Sequence, residues 1–83
     1  DYSQLYNCIL LYKFVGMDIK QKFGRKLKEI RLIKGLTQEK LANIADLDRT
    51  YIPSIEKGER NVSITVIEKL AKALDVEMID LIK

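Results

Sequence analysis

The sequence contains no histidine, no tryptophan and a single cysteine, Cys8, among its 83 residues. Without histidine there is no His-based acid/base pair and no Ser-His-Asp or Cys-His triad. One cysteine can form neither an intrachain disulfide nor a Cys/His zinc site. We therefore expect a protein that is not an enzyme, and we expect no metal, cofactor or small-molecule ligand. With no disulfide framework and no secretory signature, the expected compartment is the cytoplasm. The longest apolar run, residues 8–12, is far below the roughly 20 residues of a membrane span, so no membrane association is expected.

One proline and four glycines leave few turn signals, so the helix boundaries must be inferred mainly from capping residues. Five segments after residue 17 have helical patterns, at about 18–34, 37–45, 48–57, 63–74 and 77–82. The first four begin at residue types that cap helices, namely Asp18, Thr37, Asp48 and Ser63. No stretch alternates apolar and polar residues long enough to predict a strand. The sequence therefore predicts an all-α bundle, with one domain over residues 17–83.

Residues 1–16 differ from the rest of the chain. Their sequence, DYSQLYNCILLYKFVG, is apolar and aromatic with no net charge, and it lacks the capped helical pattern. We interpret this segment as an N-terminal appendage to the domain. Three forms of appendage fit the composition: an extra packing helix, a dimerisation arm, or a leader ahead of Met17.

The net charge of +3 is modest but unevenly distributed. Residues 17–34 carry seven basic and two acidic side chains, a net charge of +5, whereas residues 35–60 and 61–83 each carry −1. A concentrated basic segment is typical of a surface that contacts phosphates. It is equally typical of a solvated helix face, so the charge alone leaves both interpretations open.

The second and third predicted helices have the pattern of a helix-turn-helix. Ala42 allows a close helix crossing, and Asp46 belongs to the few residue types that tolerate the left-handed backbone of a tight turn. Two apolar residues anchor the second of these helices, Ile52 and Ile55. The exposed face would then carry hydrogen-bonding and basic side chains, as a surface for base edges and phosphates requires.

Glu56 is predicted to lie on the inward side of the third helix, where an unpaired carboxylate would be costly. Arg31 lies on the inward side of the first helix, one turn from Leu27. We therefore expect Arg31 and Glu56 to form a buried or half-buried salt bridge with a structural role. The alternative is that both side chains extend to solvent.

A family resemblance rests on the stretch LKEIRLIKGLTQEKLANIADLDRTYIPSIEKGERNVSITVIEKLAKALDV. It resembles the lambda-repressor/Cro-like helix-turn-helix family over about residues 19–82, and LDRTYIPSIEKGERNVSI is similar to the restriction–modification controller proteins within that family. The resemblance implies a compact five-helix DNA-binding domain that dimerises mainly through its last helix. It also implies a two-fold double-stranded DNA operator, with the third helix in the major groove.

The resemblance also assigns residues to roles. The base-proximal residues would be Arg49, Thr50, Tyr51 and Ser54, with Arg49 the best candidate for a bidentate contact to guanine. The phosphate contacts would come from Thr37, Gln38, Lys57, Arg60 and Asn61. The dimer interface would include Met78, Ile79 and Ile82.

Two positions depart from the family pattern. Pro53 stands inside the predicted recognition helix, where it should kink the helix or shift its start. Glu77 replaces the small hydroxyl residue usual before the last helix, which weakens that cap. The expected function is a homodimeric, sequence-specific transcriptional regulator of restriction–modification genes. A phage-type repressor, an antitoxin and a protein-interaction module remain alternatives.

Overall fold

A computed structural model describes residues 18–83, which form five α-helices connected by short turns. The helices are α1 (Ile19–Ile33), α2 (Gln38–Ile44), α3 (Tyr51–Glu56), α4 (Ile64–Leu74) and α5 (Met78–Ile82). This part of the chain contains no strand, so the prediction of an all-α, five-helix domain is confirmed. The interpretation of residues 1–16 as an appendage concerns a segment outside the described residues.

Three of the predicted N-caps are present as hydrogen bonds. The side chains of Asp18, Thr37 and Ser63 accept backbone N–H groups in the first turns of α1, α2 and α4, at 2.8, 3.1 and 3.2 Å. The first four N–H groups of a helix have no acceptor within the helix, so each of these bonds satisfies a donor that would otherwise depend on water. These starts are therefore determined by the sequence next to them.

The start of the third helix differs from the prediction. It begins at Tyr51 with Thr50 as its N-cap, so the expected start at Asp48 is wrong. Asp48 instead organises the turn before α3, because its Oδ1 accepts both the amide of Thr50 at 2.9 Å and its hydroxyl at 2.8 Å. Pro53 is the third residue of the helix. The missing proline N–H therefore falls in the first turn, where no intrahelical acceptor exists. The later start of α3 matches one of the two effects expected from Pro53, a shifted helix start.

The first four helices end in the same way. In each, a residue with positive φ follows the helix, and the next amide donates back to the carbonyl five residues earlier. The positive-φ residues are Gly35, Asp46, Gly58 and Asp75, with φ of 73, 56, 76 and 58°. The left-handed residue reverses the chain and lets the returning amide satisfy a free carbonyl at the helix end. The expectation that Asp46 adopts this conformation in the helix-turn-helix is confirmed.

The core is formed by one set of apolar side chains contributed by all five helices. α1 packs against α3 and α5, α2 against α3 and α4, and α4 against α5. The largest fully buried side chains are Leu27, Leu41, Ile52, Ile55, Leu70, Leu74 and Leu81. α3 contributes Ile52 and Ile55, so the predicted anchors of the short third helix are confirmed and its inner side is held in the core.

The contact between α1 and α3 is close at Gly24, and this generates a prediction. A Cβ atom at Gly24 would overlap the carbonyl oxygen of Ile55 and lie 2.9 Å from that of Glu56. We expect Gly24→Ala to lower the free energy of unfolding by about 1–3 kcal/mol, even though alanine favours a helix by about 1 kcal/mol over glycine. Urea unfolding followed by circular dichroism measures this loss.

The control is Gly35→Ala, where a Cβ would meet nothing within 4 Å but φ is +73°. Its expected cost is about 1–2 kcal/mol, which comes from the left-handed backbone alone. A Gly24→Ala variant as stable as the wild type would contradict the close approach of α1 and α3.

Candidate nucleic-acid interface

The helix-turn-helix consists of α2, the turn at residues 45–50 and α3. Ala42 and Ala45 are buried on the α2 side of the turn, which leaves room for the two helices to cross closely. The residues just before α3, Arg49 and Thr50, are exposed in that turn. Tyr51, the first residue of α3, is half-buried and packs partly on the core. The N-terminal end of α3 therefore presents a basic and a hydroxyl side chain to solvent.

The predicted Arg31–Glu56 pair is present, and it is buried. The Nε of Arg31 lies 2.7 Å from Oε2 of Glu56, and the side chains are only 8% and 4% exposed. Nη2 of Arg31 donates to Oε1 of the same carboxylate at 3.1 Å, so the contact is bidentate. Nη1 donates to the carbonyl of Leu36 at 2.8 Å. No buried side-chain N or O atom lacks a hydrogen-bond partner among the described residues.

Gln38 completes this network. Its Nε2 donates to Oε1 of Glu56 at 3.0 Å, so the Glu56 carboxylate joins the start of α2 to the end of α3 and to α1. One N–H of the Gln38 amide is used in this bond, and a primary amide has a second. Thr37, which precedes it, is exposed and uses its hydroxyl oxygen as an acceptor for the Lys40 amide. Its O–H therefore stays available as a donor.

Tyr51, Ser54 and Arg60 form a second cluster, which no pattern in the sequence predicted. The Ser54 hydroxyl donates to the carbonyl of Tyr51 at 2.9 Å and accepts Nε of Arg60 at 3.0 Å. The Arg60 guanidinium carbon lies 4.2 Å from the centroid of the Tyr51 ring. The family resemblance assigns Ser54 to the bases and Arg60 to phosphate, and the structure places both side chains in contact with Tyr51. Lys57 and Asn61 are exposed at and beyond the end of α3.

Asp48 gives this end of α3 its negative charge. Hydrogen bonds from the amide and the hydroxyl of Thr50 hold the pKa of the Asp48 carboxyl below its ordinary value, and the charges of Arg49 and Arg60 act in the same direction. Because the pKa is lowered in the folded state, the stabilisation is present above the ordinary carboxyl pKa and is lost as the pH falls through the lowered value. The charge of Asp48 therefore acts on both arginines.

The sequence matches the helix-turn-helix family over residues 27–81. The chain belongs to this family. The control protein C.BamHI of Bacillus amyloliquefaciens is 53% identical over 66 residues, which cover 78% of this chain and 82% of that protein. The control protein C.MunI of a Mycoplasma species is 49% identical over 65 residues, covering 77% of this chain and 88% of that one.

The fold also matches a solved structure, the restriction-modification controller protein C.AhdI from Aeromonas hydrophila. The TM-score is 0.73 at 52% sequence identity, over 75% of this chain and 94% of that chain. The family resemblance inferred from the sequence is therefore confirmed. None of the five described helices is both long and apolar enough to cross a membrane. Within residues 18–83, no cluster of acidic and cysteine side chains is arranged to hold a metal ion.

The buried network generates a prediction about stability. Arg31→Met leaves the Glu56 carboxylate buried with only Gln38 as a partner, and we expect the free energy of unfolding to fall by about 3–5 kcal/mol. Arg31→Met combined with Glu56→Leu removes the buried charge and should recover part of the loss. Urea unfolding of both variants measures these values, and far-UV circular dichroism at 25 °C detects a variant that no longer folds.

The exposed ion pair of α4 serves as the control. Nζ of Lys72 lies 3.9 Å from Glu68, and their side chains are 78% and 55% exposed. Lys72→Ala should therefore cost no more than about 0.5 kcal/mol. An equally small cost for Arg31→Met would show that burial adds nothing to the Arg31–Glu56 pair.

Proposed function

We propose that this protein is a transcriptional regulator that binds double-stranded DNA sequence-specifically and controls restriction–modification genes. It acts as a homodimer on a two-fold operator in the cytoplasm. The observation that carries this proposal is the exposed N-terminal end of α3, which bears Arg49 and Thr50 and is held in place by the buried network behind it. The similarity to control proteins supports the choice of regulated genes.

Base recognition is assigned to the N-terminal end of α3 because helix-turn-helix proteins direct this end of the second helix into the major groove. Arg49 supplies an exposed guanidinium, which suits the two acceptors of guanine. Thr50 is exposed beside it, while Tyr51 and Ser54 follow one and four residues later. The Ser54 hydroxyl already forms hydrogen bonds with the Tyr51 carbonyl and with Arg60. We therefore assign it a role in organising the protein surface rather than a direct contact with a base edge.

Phosphate contacts are assigned to side chains on both sides of this end of α3. Thr37 retains its O–H and Gln38 one amide N–H, and both residues lie at the start of α2. Lys57 and Asn61 are exposed where α3 ends. Arg60 joins them through the terminal nitrogens of its guanidinium. Such contacts fix the orientation of the protein on the duplex and carry little sequence information.

Dimerisation is assigned to α5. Its Leu81 is fully buried in the core, whereas Met78, Ile79 and Ile82 each keep part of their apolar surface exposed. A second copy related by a two-fold axis would cover this surface and place two recognition helices on opposite half-sites. The dimer symmetry would then match the symmetry of the operator.

A first prediction concerns base recognition. The test first selects bound sequences from a random duplex pool. Fluorescence anisotropy titrations then compare the affinity for the selected duplex with the affinity for a scrambled one. Arg49→Ala should lose about 5- to 150-fold affinity for the selected duplex, because a bidentate base contact contributes about 1–3 kcal/mol of discrimination. Its affinity for the scrambled duplex should change much less.

The matched control is Arg25→Ala, which removes the same charge from an exposed position on α1. Lys57→Ala should weaken both duplexes and reduce the slope of log K against log salt by about 0.9. An equal loss on both duplexes for Arg49→Ala would mean that Arg49 contacts only phosphate. No wild-type binding to any selected duplex at low salt would overturn the regulator proposal.

A second prediction concerns the dimer. The wild type should sediment as a dimer at micromolar concentration, and Ile79→Asp should sediment as a monomer because it places a charge in the proposed apolar interface. Ile64→Asp, at an isoleucine that is 74% exposed on α4, is the control and should remain dimeric. A wild type that is strictly monomeric would contradict the role assigned to α5.

A further inference from the structure

Arg60 is bound from two directions by residues of α3. Its Nε donates to the Ser54 hydroxyl oxygen at 3.0 Å, and its guanidinium carbon lies over the Tyr51 ring, 4.2 Å from the centroid. A hydrogen bond at one edge and an aromatic ring below the centre restrict both the position and the rotation of a planar guanidinium. These two contacts hold the Arg60 side chain against α3, although Arg60 lies nine residues after Tyr51 in the chain.

Ser54 determines the direction of the hydrogen bond. Its hydroxyl hydrogen is directed to the backbone, to the carbonyl of Tyr51 at 2.9 Å and that of Thr50 at 3.2 Å. The oxygen lone pairs are then left to accept Nε of Arg60. Both backbone carbonyls lie at the start of α3. The position of the guanidinium is therefore set relative to the helix that the proposed function places in the major groove.

The contact leaves the far side of the guanidinium available. Within residues 18–83, the terminal nitrogens Nη1 and Nη2 of Arg60 form no hydrogen bond and no ion pair at contact distance, and the Asp48 carboxylate acts on the guanidinium only through its charge. These two groups carry four of the five N–H donors of arginine. A guanidinium held at Nε and stacked on one face can thus still bind an acceptor through its outer edge.

We propose that Tyr51 and Ser54 are positioning residues that act on DNA binding through Arg60, whose guanidinium they hold in its binding position before the duplex arrives. This inference rests on the proposed DNA-binding function and specifies how that site works. An arginine that is already ordered loses less conformational freedom on binding than a mobile one, so part of the affinity depends on residues that need not contact DNA themselves. Tyr51 contributes through its ring, and its hydroxyl is not required.

A double-mutant cycle on the selected duplex tests this coupling. Tyr51→Leu and Arg60→Ala should each lower the affinity by about three- to tenfold, and the double variant should lose no more than Arg60→Ala alone. Tyr51→Phe keeps the ring and should rescue most of the affinity that Tyr51→Leu loses. Losses that multiply in the double variant, or a Tyr51→Phe variant as weak as Tyr51→Leu, would show that Tyr51 contacts DNA directly and overturn the inference.

Proton NMR of the free protein gives a second readout that needs no DNA and that a merely unstable variant would not reproduce. The Arg60 δ-protons should show an upfield ring-current shift in the wild type and in Tyr51→Phe, and should lose it in Tyr51→Leu. The Arg60 Hε should exchange faster with water in Ser54→Ala. Unchanged chemical shifts of the Arg60 δ-protons in Tyr51→Leu would contradict the contact between the guanidinium and the Tyr51 ring.

The two proposals fail in different ways. A wild type that binds no duplex overturns the regulator function, and the inference about DNA binding falls with it. A wild type that binds, with multiplying losses for Tyr51 and Arg60, overturns only the positioning role.

Discussion

The arrangement of this domain depends on one buried ionic network. Arg31 and Glu56 are almost fully removed from water, and a buried charge pair is tolerated only when its geometry and its remaining hydrogen bonds are satisfied. Here Leu36 and Gln38 supply the missing partners, so the network joins α1, the turn after it, α2 and α3. Because removing Arg31 or Glu56 leaves the other charge buried without its counter-ion, the network couples the position of α3 to the rest of the bundle.

α3, the proposed recognition helix, depends on contacts with the rest of the domain for its stability. α3 has six residues, fewer than an isolated helix needs, and it is held by Ile52 and Ile55 in the core and by Glu56 in the network. The carboxylate of Asp48 organises the turn before α3 by accepting the Thr50 amide. Pro53 lies in the first turn of α3, where its missing N–H removes no intrahelical bond. Arg49 and Thr50 therefore precede α3 and are exposed, which is where a base-contacting side chain is most useful.

The highest net charge of this protein does not coincide with the proposed base-contacting segment. The most basic segment, residues 17–34 with a net charge of +5, supplies Arg31 to the buried network, whereas the proposed base contacts come from a segment with a net charge of −1. The charges of Arg49 and Arg60 help to hold the pKa of the Asp48 carboxyl below its ordinary value, so an acidic side chain acts on the same arginines that are proposed to contact DNA. Hydrogen-bonding geometry and position, more than charge density, distinguish this surface.

Residue patterns alone were enough to predict the helices, most of their caps, the left-handed turn at Asp46 and the Arg31–Glu56 pair. These features depend on bonds between residues close in the chain, or on the high cost of a buried unpaired charge. The start of α3 also depends on local bonds, but the capping pattern does not show that Asp48 organises the preceding turn rather than capping the helix. Three other features are seen only in the folded structure: the close approach at Gly24, the bond from Gln38 to Glu56 and the contact of Arg60 with the Tyr51 ring. Each of these requires the relative position of separate elements, which packing in three dimensions sets and which no local pattern encodes.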